Sequence, residues 1–297
     1  MTNRRIIIDT DPGLDDAPAI LHALNCGRFE VLGLTTMAGN IGLDNTTRNA
    51  GRLLAAMGRS DIPVITGAAK PLARGVIDIS DIHGSDGLHG LALPGPQAAP
   101  RPDAVALDGR FALAEPAGSV DIFAPGPLTN IAGLITRHPA AAARVGQIIA
   151  MGGAVDEPGN IGPRSEFNFA TDPEAANIVL RAGRDLTLVP LDVTRKVRAG
   201  TAYMAALRGN PPGDIAADII ALYFGTGRES RPLHDPCVML RRSTRACSDI
   251  EDRHLSVDLA GDPGALSPAA DQPATKIALR VNAKGVLDLL AAGLTRT

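Results

Sequence analysis

Short runs of apolar, mostly β-branched residues alternate along this chain with longer stretches whose apolar positions recur at helical spacing. Ile6 to Ile8 read as the end of a buried strand, and Pro12-Gly13 forces a turn behind it. A helix then begins at Asp15 and Asp16 with Ala17 to Leu24 as its apolar body, and Pro18 is tolerable only in the first turn. Val31–Thr36, Pro63–Thr66, Val120–Ala124, Gln147–Met151 and Leu186–Pro190 are further predicted strands, while Asn45–Met57, Leu128–Arg137 and Asp172–Ala182 carry helical spacing. Residues 67–102, rich in Gly, Pro and Ala, read as a long covering loop, and 104–114 is ambiguous because Asp108-Gly109 interrupts it. Beyond Asp192 the alternation weakens. Helices are predicted over 201–207, 214–224 and 234–240, strands over 253–259 and 275–281, a surface turn over 261–273 and a last helix over 283–292. The pattern predicts one α/β domain spanning 1–297. Its sheet is mostly parallel with helices on both faces, and a small antiparallel edge lies near the C-terminus.

Composition narrows the field. The 297 residues are 45% hydrophobic and 21% charged, as expected of a soluble globular protein. A net charge of −3 with scattered basic residues leaves no footprint for nucleic acid or an anionic membrane. The densest basic group, Arg241, Arg242 and Arg245, reads as a solvated helix face. No apolar stretch has membrane-spanning length, and the amino terminus lacks the plan of a signal peptide. Cys26, Cys237 and Cys247 are odd in number and widely spaced, so a reducing cytoplasm is the expected location. With no Trp and two Tyr, few large rings are available to stack on a planar ligand.

Asp9, Asp11, Asp15 and Asp16 crowd into eight positions directly behind the first strand. Each alone reads as a cap or turn residue, but a cap needs one carboxylate, and a bound cation is the simplest way to hold all four. The spacing fails the EF-hand pattern, since Ile20 stands where its last ligand would be. An Asp-x-Asp phosphatase of the haloacid dehalogenase type is weakened by Gly13 where Thr or Val usually follows. The cluster lies where open α/β sheets bind ligands, past the carboxyl end of a strand. Asn40, Thr129-Asn130, Asn160, Glu166 and Asn168 follow other predicted strands and would converge there; alone, each reads as turn or cap chemistry. Glu166 and Asn168, if extended, point the same way. Such a ring of acids and amides suits a polyhydroxylated ligand such as a sugar and repels phosphate, and no phosphate loop is present. In His234-Asp235-Pro236, Asp235 could join the cation and His234 could donate a proton, against a plain helix start. His83 and His89 lie in a glycine-rich loop, as lid or solvent-facing residues.

Seven ordered motifs give the chain its likeness: Asp-Thr-Asp-Pro-Gly-Leu-Asp-Asp-Ala from 9, Thr-Thr-Met-Ala-Gly-Asn from 35, His-Gly at 83, Gly-Pro-Leu-Thr-Asn from 126, Met-Gly-Gly from 151, Glu-Phe-Asn from 166 and His-Asp-Pro from 234. Nearly end to end, it resembles the inosine–uridine-preferring nucleoside hydrolases. The resemblance implies a calcium ion held by Asp11, Asp16, Asp235 and the carbonyl of Thr129, with Asp11 also the base for a calcium-bound water. It implies ribose contacts from Asp15, Asn160, Glu166 and Asn168, support from Asn40, a nucleobase contact from His83, and His234 protonating the departing base. It further implies a homodimer or homotetramer acting on a nucleoside. Pro18 and His89 depart from the family's pattern, and Tyr223 is the one tyrosine near a base-contacting position. The purine-specific branch stacks the base between tryptophans, so their absence points to a pyrimidine-preferring or broad enzyme. Two competitors remain: a phosphatase with Asp9 as nucleophile, and a non-catalytic sugar-binding protein.

Overall fold

The computed structural model describes residues 3–77, 79–224, 229–241 and 249–297, with the side chains of 106–110 left out. Arg242, Arg245 and Cys247 lie outside the described residues. Twelve strands occur among those described: β1 Arg4–Thr10, β2 Phe29–Thr36, β3 Val64–Thr66, β4 Arg101–Pro102, β5 Val120–Ala124, β6 Ile148–Met151, β7 Leu186–Val189, β8 Arg198–Gly200, β9 Ser230–Pro232, β10 Ile250–Val257, β11 Leu266–Pro268 and β12 Ala274–Ala278. Ten form one sheet in the order β11-β10-β12-β7-β6-β5-β1-β2-β3-β4, and β8 and β9 make a separate antiparallel pair. From β12 to β4 every neighbour is parallel, whereas β10 runs antiparallel to both β12 and β11. The expected α/β class, the parallel sheet and its antiparallel C-terminal edge are all borne out.

Alternation within the strands puts helices on both faces. Ile149 and Met151 of β6 join one apolar cluster, while Ile148 and Ala150 join another. The first cluster packs under helices α1 Asp16–Asn25 and α2 Leu43–Ala56. After α3 Ser80–His83, the second cluster packs under α4 Ala104–Ala114 and α5 Thr129–Arg137. Strands buried on both faces must be apolar at consecutive positions, which is why β1, β5, β6 and β7 were readable as short continuous runs.

The remaining helices are α6 Pro139–Ala142, α7 Phe167–Thr171, α8 Pro173–Arg181, α9 Leu191–Thr194, α10 Thr201–Ala206, α11 Pro211–Phe224, α12 Pro236–Leu240 and α13 Ala283–Leu294. Helix α8 belongs to the second cluster, and α11, α12 and α13 to the first. The 104–114 stretch is helical throughout, so Asp108-Gly109 does not break it. The covering loop carries only α3 and β4, and the 261–273 turn contains β11. No helix among the described residues is long and apolar enough to cross a membrane.

Strand order reverses at β1. The chain runs from it to β2, β3 and β4 on one side, then returns to its other side with β5, β6 and β7. Diverging loops at such a switch point leave a crevice at the carboxyl edge of the sheet. The Asp-rich turn leaves β1 directly into it.

Candidate active site

The turn after β1 is held by a tight set of hydrogen bonds. Asp16 opens α1, and its carboxylate accepts from Thr10 Oγ1 at 2.5 Å and from the Gly13 amide at 3.1 Å. Asn40, just beyond β2, donates its amide N–H to Asp11 Oδ2 at 2.7 Å and its Nδ2 to Asp16 Oδ2 at 2.9 Å. Gly39 is needed beside it, because a Cβ there would stand 2.0 Å from Asp11 Oδ2. Asn40 therefore hydrogen-bonds both Asp11 and Asp16.

Asp235 arrives from the other end of the chain, immediately before α12. The closest acidic group among the described residues is Asp15, Asp16 and Asp235, whose ligand oxygens all lie within 4.8 Å of one another. All three are buried. Asp11 stands close enough to this group for the Asp15 and Asp16 charges to act on it, and it is itself felt at Asp235. Asp9 is fully buried, with Oδ1 accepting from Thr35 Oγ1 at 2.5 Å and Asn130 Nδ2 at 2.8 Å, and it does not line the cleft. Thr129 opens α5. Its hydroxyl donates to Asp172 Oδ2 at 2.7 Å, and it lines a neighbouring depression.

The electrostatics call for a cation. Burial pushes Asp9 and Asp15 up to about 7, with the Asp16 charge adding to the shift at Asp15. Burial, followed by neighbouring carboxylates, drives Asp11 and Asp235 well above the usual carboxylate range. Among the described residues no Lys or Arg pairs with them. An all-oxygen, buried, uncompensated donor set fits a hard divalent ion.

An open cleft of about 570 Å³ lies over this group. Asp11, Asp15 and Asp235 line it together with Asn40, His83, Asn160, Glu166, Asn168 and His234, so nearly every site residue expected from the sequence meets there. The exceptions are Thr129 and Asp16, the latter sitting underneath. Glu166 is extended, but Asn168 already lies in α7, so the two do not share one extended segment. Glu166 caps α7, accepting from the Asn168, Phe169 and Gly153 amides at 2.9, 3.1 and 3.0 Å, while burial raises it to about 7. Asn168 spends its Nδ2 on the Pro125 carbonyl at 2.6 Å, which leaves Oδ1 as an acceptor for a ligand. Asn160 is complementary, for its Oδ1 accepts from Phe167 N at 2.9 Å and its Nδ2 remains to donate.

The cleft is also lined by apolar and ring-bearing side chains. Ile79, Ile82, Phe167 and Tyr223 line it, and the His83 and Tyr223 rings stack at 6.1 Å and 23°. Sequence reasoning noted Tyr223 without placing it; Arg231, 4.4 Å over its other face, gave no local signal. His83 Nδ1 accepts from the Leu14 amide at 3.1 Å, which ties the loop to the acidic turn. His89 instead turns away, its Nε2 bonded to the Ile82 carbonyl at 3.0 Å. Burial lowers both His83 and His234 to about 4, His83 further by the neighbouring His89 and His234, and His234 further by Arg195 and Arg198.

Carboxylates, amides and rings meet in one cleft, and known proteins say what such a chain resembles. Residues 6–288 match the family described as inosine-uridine preferring nucleoside hydrolase. The chain is 41% identical over 244 residues to the pyrimidine-specific ribonucleoside hydrolase RihA of Shewanella woodyi, covering 80% of this chain and 78% of that one. It is 37% identical over 302 residues to RihA of Salmonella arizonae, covering 96% of each. A solved plant nucleoside hydrolase, PpNRh1, superposes with a TM-score of 0.92 at 30% identity over the whole of both chains. The protein is thus a nucleoside N-ribosyl hydrolase. It belongs to the inosine–uridine preferring nucleoside hydrolase family.

Proposed function

We propose that this enzyme is calcium-dependent, hydrolyses the N-glycosidic bond of ribonucleosides to free base and ribose, and prefers pyrimidines. The observation that carries the reading is the meeting, in one cleft, of Asp11, Asp15 and Asp235 with His234 across a gap lined by Asn160, Glu166 and Asn168. The naming of its 41% and 37% identical relatives as pyrimidine-specific supports the preference, as does the absence of Trp.

Asp11, Asp16 and Asp235 are the side chains that would hold the ion, with the Thr129 carbonyl as a further ligand from α5 and Asp15 beside them on the sugar side. Calcium, when bound, supplies an orienting positive charge that makes a water easier to deprotonate. Asp11 takes the water proton, and the water oxygen adds to C1′ of the ribose. The C1′–N bond breaks with its electron pair passing to the base. Positive charge gathers on the sugar at that moment, and Asp15, Glu166 and the amide oxygen of Asn168 stabilise it. Asn160 Nδ2 donates to a ribose hydroxyl. His83 and Tyr223 bound the base, and His234 offers it a ring hydrogen as it leaves. Burial, with Arg195 and Arg198 nearby, favours the neutral imidazole, so its N–H stabilises the departing base by a hydrogen bond while the base takes its proton from solvent water.

The test is a reducing-sugar assay on uridine, cytidine, inosine and adenosine with and without chelator. Release of ribose, fastest from the pyrimidines and lost on chelation, is expected. Release of inorganic phosphate from a nucleotide, or ribose binding without turnover, would overturn the reading. The same proposal has the enzyme in the cytoplasm as a homodimer or homotetramer, which sedimentation velocity would resolve.

A further inference from the structure

Helix α9 is a single turn after β7, and its last residue, Thr194, is completely buried. Its Oγ1 lies 2.7 Å from His234 Nδ1, a contact between residues 40 apart in sequence. Among the described residues this hydroxyl has no other hydrogen-bond partner. A buried O–H must find an acceptor, and the Nδ1 lone pair is the one within reach. When a hydroxyl donates to Nδ1, the ring hydrogen is confined to Nε2. His234 lines the cleft, so with Nδ1 taken, Nε2 is the nitrogen left for a ligand.

We propose that Thr194 is a positioning residue, which holds the His234 ring in place and in the tautomer that presents Nε2–H to the departing base. The inference rests on the reading of His234 given above. Neighbouring residues show that the turn is built as a support for the site. Asp192 accepts from the Val155 and Asp156 amides at 2.9 and 2.8 Å. Arg195 donates to the Pro158 and Gly159 carbonyls at 2.6 and 2.5 Å. One short element thus fixes the loop that carries Asn160 on the sugar side and the imidazole on the base side. Its own contribution to the cleft lining is nil, so its effect on the reaction passes through His234 and that loop.

Valine has nearly the shape of threonine without the hydroxyl, so Thr194→Val removes the Nδ1 partner while keeping the packing. The kcat on uridine should fall about ten- to hundredfold, part of the roughly 10²–10⁴ that acid–base assistance supplies, while KM moves less than about threefold. A nitrophenyl riboside, whose phenolate leaves without help, provides the internal control. The ratio of uridine kcat to nitrophenyl riboside kcat should drop at least about tenfold in Thr194→Val and recover in Thr194→Ser. In a His234→Ala background, Thr194→Val should cost nothing further, because the two act as one unit. Equal losses on both substrates, an unchanged uridine kcat, or additive losses in the double variant would each overturn the proposal. Should the valine variant fail to fold, Thr194→Ala is read by the same ratio and decides the matter. Wild-type protein that releases ribose from no nucleoside would instead overturn the functional reading itself.

Discussion

Replacing Asp235 with asparagine should move stability in opposite directions with and without a divalent cation. Its oxygens lie within 4.8 Å of those of Asp15 and Asp16, and all three groups are buried. At an effective dielectric of about 20, two unit charges at that separation repel by about 3 kcal/mol. In metal-free protein part of this is avoided because the carboxylates keep protons, as the rise of Asp15 to about 7 records. A carboxyl whose folded pKa is raised stabilises the fold fully at low pH, and that stability is lost as pH climbs from the unfolded value near about 4 through about 7. At about pH 8.5 repulsion is therefore largest, and Asp235→Asn should stabilise the metal-free enzyme by about 2–3 kcal/mol. A ligand at a hundred times its Kd adds about 2.7 kcal/mol to the wild type. With about 2 cal/mol/K of unfolding entropy per residue over 297 residues, either change corresponds to about 4 °C in Tm. The chain has no Trp, so calorimetry or circular dichroism at 222 nm is the readout, with calcium or chelator added. Wild type should gain from calcium and Asp235→Asn should not. A variant that is less stable than wild type without metal, or that responds to calcium equally, would refute the reasoning.

Further expectations are as direct. Asp11→Asn should lower kcat by about 10²–10⁴ with the fold intact, read by single-turnover ribose release. Gly39→Ala, whose new methyl would meet Asp11 Oδ2 at 2.0 Å, should likewise lose most turnover while its Tm falls only a few degrees; full activity would show that Asp11 need not sit where it does. His22 is buried, with its pKa lowered to about 4 mainly by burial. Because unfolded chains take up that proton near about 6.5, stability falls as pH drops from about 6.5 to 4, by about 3 kcal/mol from this group. His22→Asn should flatten the decline in urea midpoints between pH 7 and 4.5, and an unchanged slope would refute the assignment.

The central sheet was legible because strands covered on both faces leave an unmistakable run of β-branched residues, as at Ile6–Ile8 and Gln147–Met151. The acidic cluster was legible for the same kind of reason, since four carboxylates in eight positions contradict ordinary turn chemistry. The hydrogen bonds that hold the cluster were not, because Asn40 and His83 reach the turn from distant loops. Helices α7 and α9, with five and four residues, are too short to display a period, and Glu166 is an uncommon cap. The bond from the Thr129 hydroxyl to Asp172 joins residues 43 apart, so no local pattern announces it. The partnership of Thr194 with His234 likewise has no local trace.

The acidic turn and the segment Thr194–Asp235 come from opposite ends of a chain that is made in one direction. As synthesis begins, the first strand and its aspartates emerge long before anything able to neutralise or complete them, and β1 cannot take its central position until β5 exists. The nascent chain therefore carries an open, strongly anionic hairpin-like entrance through most of translation, with the cup closing only as α12 emerges. Any shortened product ending before His234 would lack the last carboxylate, the imidazole and the α12 and α13 side chains that complete the first apolar cluster.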